Sequence, residues 1–217
     1  ADQQLYRQAL DGSAPQALTT GTCRYGDVQW SDGRVMAVEE QAEQHRLVSI
    51  HASTLERQVL AEGADFYAAP TLSPDGQRLA WIEWSRPHQP WTATRLMLAE
   101  GQIDGQWNAA HCIAGDLSEE SLQQPRFDEH NRLHCLTDRA GFWQPWAESG
   151  EGLVPAPASA ADHAPAPWQL GASTWLPLGE QSYLASWTEA GFGHLGLRLA
   201  DGTVEDFTGE YSRFRSL

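Results

Sequence analysis

Short apolar runs of strand length alternate along the chain with clusters of Gly, Pro, Asp, Asn and Ser, a pattern of strands separated by turns. The stretch "SPDGQRLAWIEW", Ser73–Trp84, is the clearest case. Pro74 presets φ, Asp75 can bond nearby backbone and Gly76 tolerates positive φ, which predicts a tight turn. The run from Leu79 to Trp84 then reads as a strand, but it barely alternates. A strand covered on one face alternates apolar with polar residues, whereas one covered on both faces need not.

The phrase recurs. "VQWSDGRVMAVEE" (Val28–Glu40) has a Ser-Asp-Gly turn between two strands, "PRFDEHNRLHCLTDR" (Pro125–Arg139) has Asn131 in the turn, and "TWLPLGEQSYLASWTE" (Thr174–Glu189) has Gly179 there. Arg34, Arg78 and Arg132 mark a period of about 50 residues, and a second hairpin follows each copy. Four strands per period of this length predict an all-β fold, a partial β-propeller of about four to five four-stranded blades of a larger ring. The expected units are an incomplete blade at 1–20 ending in the hairpin Gln4–Thr19, blades at 21–62, 63–115, 116–166 and 167–210, and the first strand of another at 211–217, "YSRFRSL". Blades stacked side by side cover an inner strand on both faces, with Trp30, Trp81, Trp84, Trp175 and Trp187 supplying bulk for the layers. A β-sandwich, the alternative, would not need the same phrase at a fixed period. One short helix is expected at Asp116–Pro125, capped by Asp116 or Ser118. The Ala/Pro-rich run Val154–Trp168 reads as an extended, mobile connection between blades.

Acidic residues number 29 against 14 basic ones, all arginine, for a formal net charge of −15. This excludes the basic stripe of a nucleic-acid binder, and no run is long enough for a membrane helix. Cys23, Cys112 and Cys135 lack the spacing of a disulfide framework or a zinc site, which points to a reducing compartment, the cytoplasm. His111-Cys112 and His134-Cys135 are adjacent on strands and face opposite ways, so neither pair can share one metal. No Gly-x-Ser-x-Gly elbow or His-Glu-x-x-His is present, and Glu39-Glu40 and Glu119-Glu120 read as solvated turns. No catalytic residue, metal or cofactor is therefore expected. The unusual loop is "EWSRPHQPWTATRL", Glu83–Leu96: Pro87 and Pro90 stiffen it and it presents Arg86, His88 and Trp91, candidates for substrate contact, unless Trp84 and Trp91 simply pack on each other.

The same loop resembles a segment of the acylaminoacyl-peptidase and dipeptidyl-aminopeptidase branch of the prolyl oligopeptidase family, with Trp84, Pro87, Pro90 and Trp91 matching Trp-x-x-Pro-x-x-Pro-Trp. Thr137, Asp138, Arg139, Gly141, Phe142 and Trp143 match a second family phrase, and Trp168 and Gly171 a third. Pro145 departs from the pattern and leaves the outer strands of the third blade poorly specified. The resemblance implies a propeller that caps the active site of a C-terminal α/β-hydrolase domain, restricts peptide size and contributes peptide contacts, with Arg139 a further candidate. It carries no triad residue onto this chain. The expected partners are that hydrolase domain, a peptide substrate and, through uncovered blade faces, a second copy. A non-catalytic propeller similar to the Tol-Pal translocation protein is the alternative, and a propeller glycosidase or lactonase a third.

Overall fold

Each unit begins at a turn whose chemistry explains its sequence. At Ser73–Gly76 the Ser73 hydroxyl donates to Asp75 at 2.6 Å and accepts the Arg78 N–H at 2.9 Å, while Gly76 sits at φ 71°. Asp32 and Gly33, both at positive φ, make the equivalent two-residue hairpin turn, the geometry for which Asp-Gly is favoured. Asn131, at φ 64°, replaces glycine in the third unit. In this computed structural model, residues 2–101, 106–116, 119–150 and 152–217 are described.

The strands form a short hairpin and four four-stranded antiparallel sheets. The hairpin is β1 (Tyr6–Arg7) and β2 (Gln16–Ala17). Blade 1 is β3 (Arg24–Ser31), β4 (Arg34–Gln41), β5 (Gln44–His51) and β6 (Arg57–Ala61). Blade 2 is β7 (Phe66–Leu72), β8 (Arg78–Trp84), β9 (Arg95–Glu100) and β10 (His111–Ala114). Blade 3 is β11 (Leu122–Phe127), β12 (Leu133–Thr137), β13 (Gln144–Ser149) and β14 (Gly152–Pro155). Blade 4 is β15 (Trp175–Pro177), β16 (Tyr183–Glu189), β17 (Phe192–Arg198) and β18 (Val204–Asp206). In every sheet the spatial order follows the chain, and the first strands contact one another from blade to blade. The architecture is a partial β-propeller, as the repeat predicts.

The lost alternation in "LAWIEW" has its explanation in two separate cores. Leu79 and Trp81 pack with Met36, Val38, Leu47 and Tyr67 in the layer against blade 1. Ala80 and Ile82 point the other way and pack with Leu122, Leu133 and Cys135 of blade 3. Burial of such side chains is worth roughly 1.5–3 kcal/mol each, so the layers carry most of the stability. Leu5 and Leu18 of the hairpin close the outer side of blade 1 over Val35, Ala37, Val48 and Ile50. The hairpin is smaller than a blade, however, and Trp30, expected in a layer, remains 59% exposed. Trp81, Trp175 and Trp187 are buried and Trp84 half-buried.

Three local expectations are corrected. The helix proposed for 116–125 does not form over its described residues, of which Leu122–Pro125 instead belong to β11; Leu117 and Ser118 lie outside the described residues. Propensity for a short helix loses here to pairing of Leu122 and Gln123 with Thr137 and Leu136. The Ala/Pro-rich run is packed rather than extended into solvent: Ala156 and Ala164 join Leu136, Trp175 and Tyr183 in the layer between blades 3 and 4. Small side chains allow that run to pass between two sheets. Finally, 211–217 forms no strand; it touches blade 4 through Gly193 N–H to Ser212 C=O and Leu217 N–H to Ser173 C=O, both 2.8 Å. Pro145 is accommodated in β13 opposite Leu136, and the outer strands of blade 3 pair regularly.

A feature absent from the sequence pattern recurs on the inner wall. The first strands of blades 1, 2 and 3 each carry a register shift, and within it Asp27, Ala69 and Gln124 adopt φ of 52°, 50° and 50°. Such β-bulges re-aim a side chain out of the pleat. The Asp27 carboxylate consequently accepts the Ala69 N–H of the next blade at 2.5 Å. The Gln124 side-chain oxygen likewise accepts the Thr174 N–H of blade 4 at 2.8 Å.

Candidate functional site at the channel mouth

Antiparallel connection places the Asp-Gly-type turns at one end of the blades and the loops joining second to third strands at the other. The loop between β8 and β9 is the long one at that second end, and it leaves β8 next to the inner wall. Its three candidate residues divide between two surfaces. The Arg86 N–H donates to Asp65 at 2.9 Å, and its guanidinium lies over the Phe66 ring, 5.5 Å from the centroid. Phe66 in turn stacks on Trp84 at 5.3 Å and meets His45 at 5.1 Å. His88 is exposed; with Arg86, Glu83, Arg95 and Asp116 it lines an open cleft of about 470 Å³.

Trp91 faces the other way. It meets Trp168 with ring centroids 4.1 Å apart. Trp84 and Trp91 thus pack on Phe66 and Trp168 respectively. Arg139 belongs to the neighbouring blade and is engaged there: it grips Glu120 through two hydrogen bonds of 2.8 and 2.9 Å and lies over the Trp146 ring at 4.8 Å. The structure therefore brings Arg86 and His88 together, sets Trp91 on the adjoining surface and leaves Arg139 to one side.

The surface that Trp91 faces was not legible as a site. Residues Pro165–Ala172, which lead from blade 3 to blade 4, cross the inner wall as a strap. The Gln123 side chain donates to the Pro165 C=O at 3.1 Å. Leu170 reaches blade 1, its Cδ1 lying 3.3 Å from where a Cβ on Gly26 would sit. Gly171, at φ 78°, presents its N–H to the Asp27 carboxylate. Beneath the strap a cavity of about 50 Å³ is lined by Asp27, Ile82, Trp84, Leu122, Gln124 and Leu170 among others. Burial raises the Asp27 carboxyl above its ordinary range, opposed by the two backbone N–H groups and by Arg126. The signals that could have flagged this surface are Trp168 and Gly171, which matched a family phrase, but nothing in the sequence places them against blade 1.

Among the described residues, no group of three or more His, Cys, Asp or Glu is placed to hold a metal ion. His134 pairs with Asp128 at 3.0 Å, both buried, and no serine hydroxyl of the described residues bonds to a histidine. The channel mouth is a surface of aromatic, cationic and amide groups, and among the described residues no serine–histidine pair is assembled there.

The fold is that of a propeller segment with an aromatic and cationic surface at one end of its inner wall. No family model matches the sequence, and no curated protein matches it. Solved structures do. A puromycin-hydrolysing peptidase of Mycobacterium tuberculosis superposes at a TM-score of 0.85 with 26% identity, over 99% of this chain and 36% of that one. A puromycin hydrolase gives 0.86 with 24% identity, over 100% and 37%. A TolB-like protein of Agrobacterium tumefaciens gives 0.67 with 13% identity, over 95% and 74%, a likeness of fold alone. The chain spans little more than a third of the length of the peptidases it matches. Its counterparts there are propeller domains of the prolyl oligopeptidase family, and the resemblance read from the sequence is borne out at that level.

Proposed function

We propose that this chain is the non-catalytic propeller part of a cytoplasmic serine peptidase of the prolyl oligopeptidase family, in the acylaminoacyl-peptidase or dipeptidyl-aminopeptidase branch, and that it gates or positions short peptides for an α/β-hydrolase domain. The observation that carries the reading is the superposition of nearly the whole chain, at 26% identity, on about a third of a peptidase. The channel mouth supports it. A proline-stiffened loop presents Arg86, whose guanidinium makes no ion pair among the described residues, beside His88, and both suit a peptide's carboxylate or carbonyl oxygens. Trp91 offers an aromatic face, and Arg139 holds the neighbouring rim in place through Glu120. In this reading the entrance restricts substrate by size.

Two measurements test this. The purified chain, given acyl-amino-acid and dipeptide chromogenic substrates, should show no turnover; turnover abolished by a serine-directed phosphonate would contradict the non-catalytic role. The reading frame beyond Leu217 should encode a Gly-x-Ser-x-Gly hydrolase. A stop codon soon after Leu217, with an export signal ahead of Ala1, would instead favour a binding propeller of the kind its TolB-like neighbours represent.

A further inference from the structure

The layer between blades 1 and 2 ends in a step. Blade 1 stops at β6, the last strand of its sheet. Between blades 2 and 3 the outer strands β10 and β14 meet, but β6 and β10 make no comparable contact. The step is an open cleft of about 500 Å³, with β6 from Gln58 to Ala61 on one side and Met97, Ala99 and Trp107 of blade 2 on the other. Trp107 is held there by a tight return of the chain. The Asn108 N–H donates to the Glu100 C=O at 2.7 Å, and a Cβ on Gly101 would lie only 2.6 Å from the Gln106 C=O oxygen. The indole packs at the margin of the core shared by blades 1 and 2, as do Leu60 and Met97, and its Nε1 is buried with no partner.

The strand edge beside this cleft is open. The His51 N–H donates to the Glu56 C=O at 2.9 Å, and antiparallel alternation from there turns the backbone groups of Gln58 towards β5 and those of Arg57 and Val59 outward. Short length, proline and charge are devices that stop an edge from accepting another strand. The other outer strands use them: β10 has four residues, β14 ends in Pro155, and β18 has three residues, two of them Glu205 and Asp206. β6 has five residues, with neither proline nor charge from Gln58 to Ala61, and its register shift at Leu60 comes after Val59. The described lining of the cleft includes Glu62 and Glu83 and no arginine or histidine. Glu62 shares Arg46 at 3.1 Å but keeps 59% of its side chain exposed at the end of the edge.

We propose that β6 is a docking edge, which accepts as a fifth strand of blade 1 an extended segment of a partner protein, apolar on the side facing Met97 and Trp107 and basic on the other. Backbone bonds to Val59 supply the pairing, and the apolar side chains cover the exposed flank of blade 2. The net charge of −15 favours the basic segment over an acidic one. The inference is independent of the peptidase reading, because the cleft lies among the outer strands and not on the inner wall.

Isothermal titration calorimetry with the peptide acetyl-Lys-Val-Lys-Val-Lys-Val-Lys-amide tests this. Its control is acetyl-Lys-Val-Lys-Pro-Lys-Val-Lys-amide, which keeps every charge but cannot pair as a continuous strand. The first should bind at least about tenfold more tightly, the worth of one or two net hydrogen bonds. Val59→Pro removes the outward N–H and leaves the ladder to β5, and Trp107→Ala removes the opposite wall. Each should bring affinity for the first peptide down to that for the control. On the intact protein the first peptide should slow hydrogen exchange of the Val59 amide. Equal binding of the two peptides, affinity unchanged in both variants, or protection at another edge and not at Val59 overturns the proposal. If neither variant folds, the exchange measurement decides.

Discussion

His163 lies in the layer between blades 3 and 4 and is 1% exposed. Its Nδ1 faces the Ala161 C=O at 3.0 Å and so carries the proton, which leaves Nε2 buried without a partner. The ring packs between Tyr183 and Trp187, each with centroids 6.0 Å away. Protonating Nε2 would bury a charge with no acceptor, and Arg198 on β17 adds repulsion. These causes, burial foremost, lower the imidazole from its ordinary 6.5 to about 4. The sign follows directly. The unfolded chain takes up the proton at higher pH than the folded one, so the neutral ring contributes its full stability above pH 6.5. That contribution is lost progressively as pH falls towards 4. At about 1.4 kcal/mol per unit the loss is on the order of 3 kcal/mol. Urea unfolding at intervals between pH 7 and pH 4 measures it against His163→Phe, which keeps an aromatic ring in the stack and cannot titrate. The difference between the two proteins should shift in favour of the variant by that amount across the interval. Common changes, such as those of Asp128 and Glu39, whose carboxyls are held low by their partners, cancel in the subtraction. Parallel stability profiles would refute the argument.

Arg78 clamps blade 2 to blade 3 through two bonds to Glu148, at 2.9 and 2.7 Å, and one to the Asn131 C=O at 2.9 Å; Arg78→Met should cost about 2 kcal/mol in urea unfolding. Gly115, at φ 90°, has no room for a side chain: a Cβ there would sit 2.0 Å from the Thr94 C=O oxygen, so Gly115→Ala should yield insoluble protein or one destabilised by several kcal/mol, read as a lower Tm in thermal melting. On the outer side of blade 4, Leu176 pairs with Leu184 and Leu184 with Leu197, and Leu176 is 45% exposed. A few hundred Å² of such surface is worth several kcal/mol when covered, at roughly 25 cal/mol per Å². Sedimentation velocity should therefore show concentration-dependent association, weakened by Leu176→Glu; a monomer at every concentration would count against it.

The architecture was legible because the turn chemistry and the two-sided burial of β8 are both local signals. Ser73, Asp75 and Gly76 announce a turn whatever surrounds them, and a strand without alternation must have neighbours on both sides. The strap was not legible for the opposite reason. Ala156, Ala161 and Ala164, just ahead of it, resemble low-complexity linker, yet they are buried between blades 3 and 4 beside His163, Trp175 and Tyr183. Asp27, Gln123 and Gln124 lie on strands that pattern as ordinary β, and a bulge leaves no periodic trace in sequence. Trp30 failed as a layer residue because its place depends on the length of the hairpin beyond it. Arg86, His88 and Trp91 could be singled out from the loop's prolines, but the division of that loop between two surfaces needed coordinates.

The left-handed residues at Asp27, Ala69 and Gln124 have one more implication. Along the buried middle of β8, each side chain is committed to one neighbouring layer or the other, and exchanging it disturbs packing. At Asp27 and Gln124 the bulged backbone instead aims a side chain around the inner rim to the next blade, and at Ala69 it turns an N–H there. Variation can therefore rewrite the lining of the passage one blade at a time while the stacked sheets stay as they are, which gives the scaffold a way to change what it recognises without relearning how to fold.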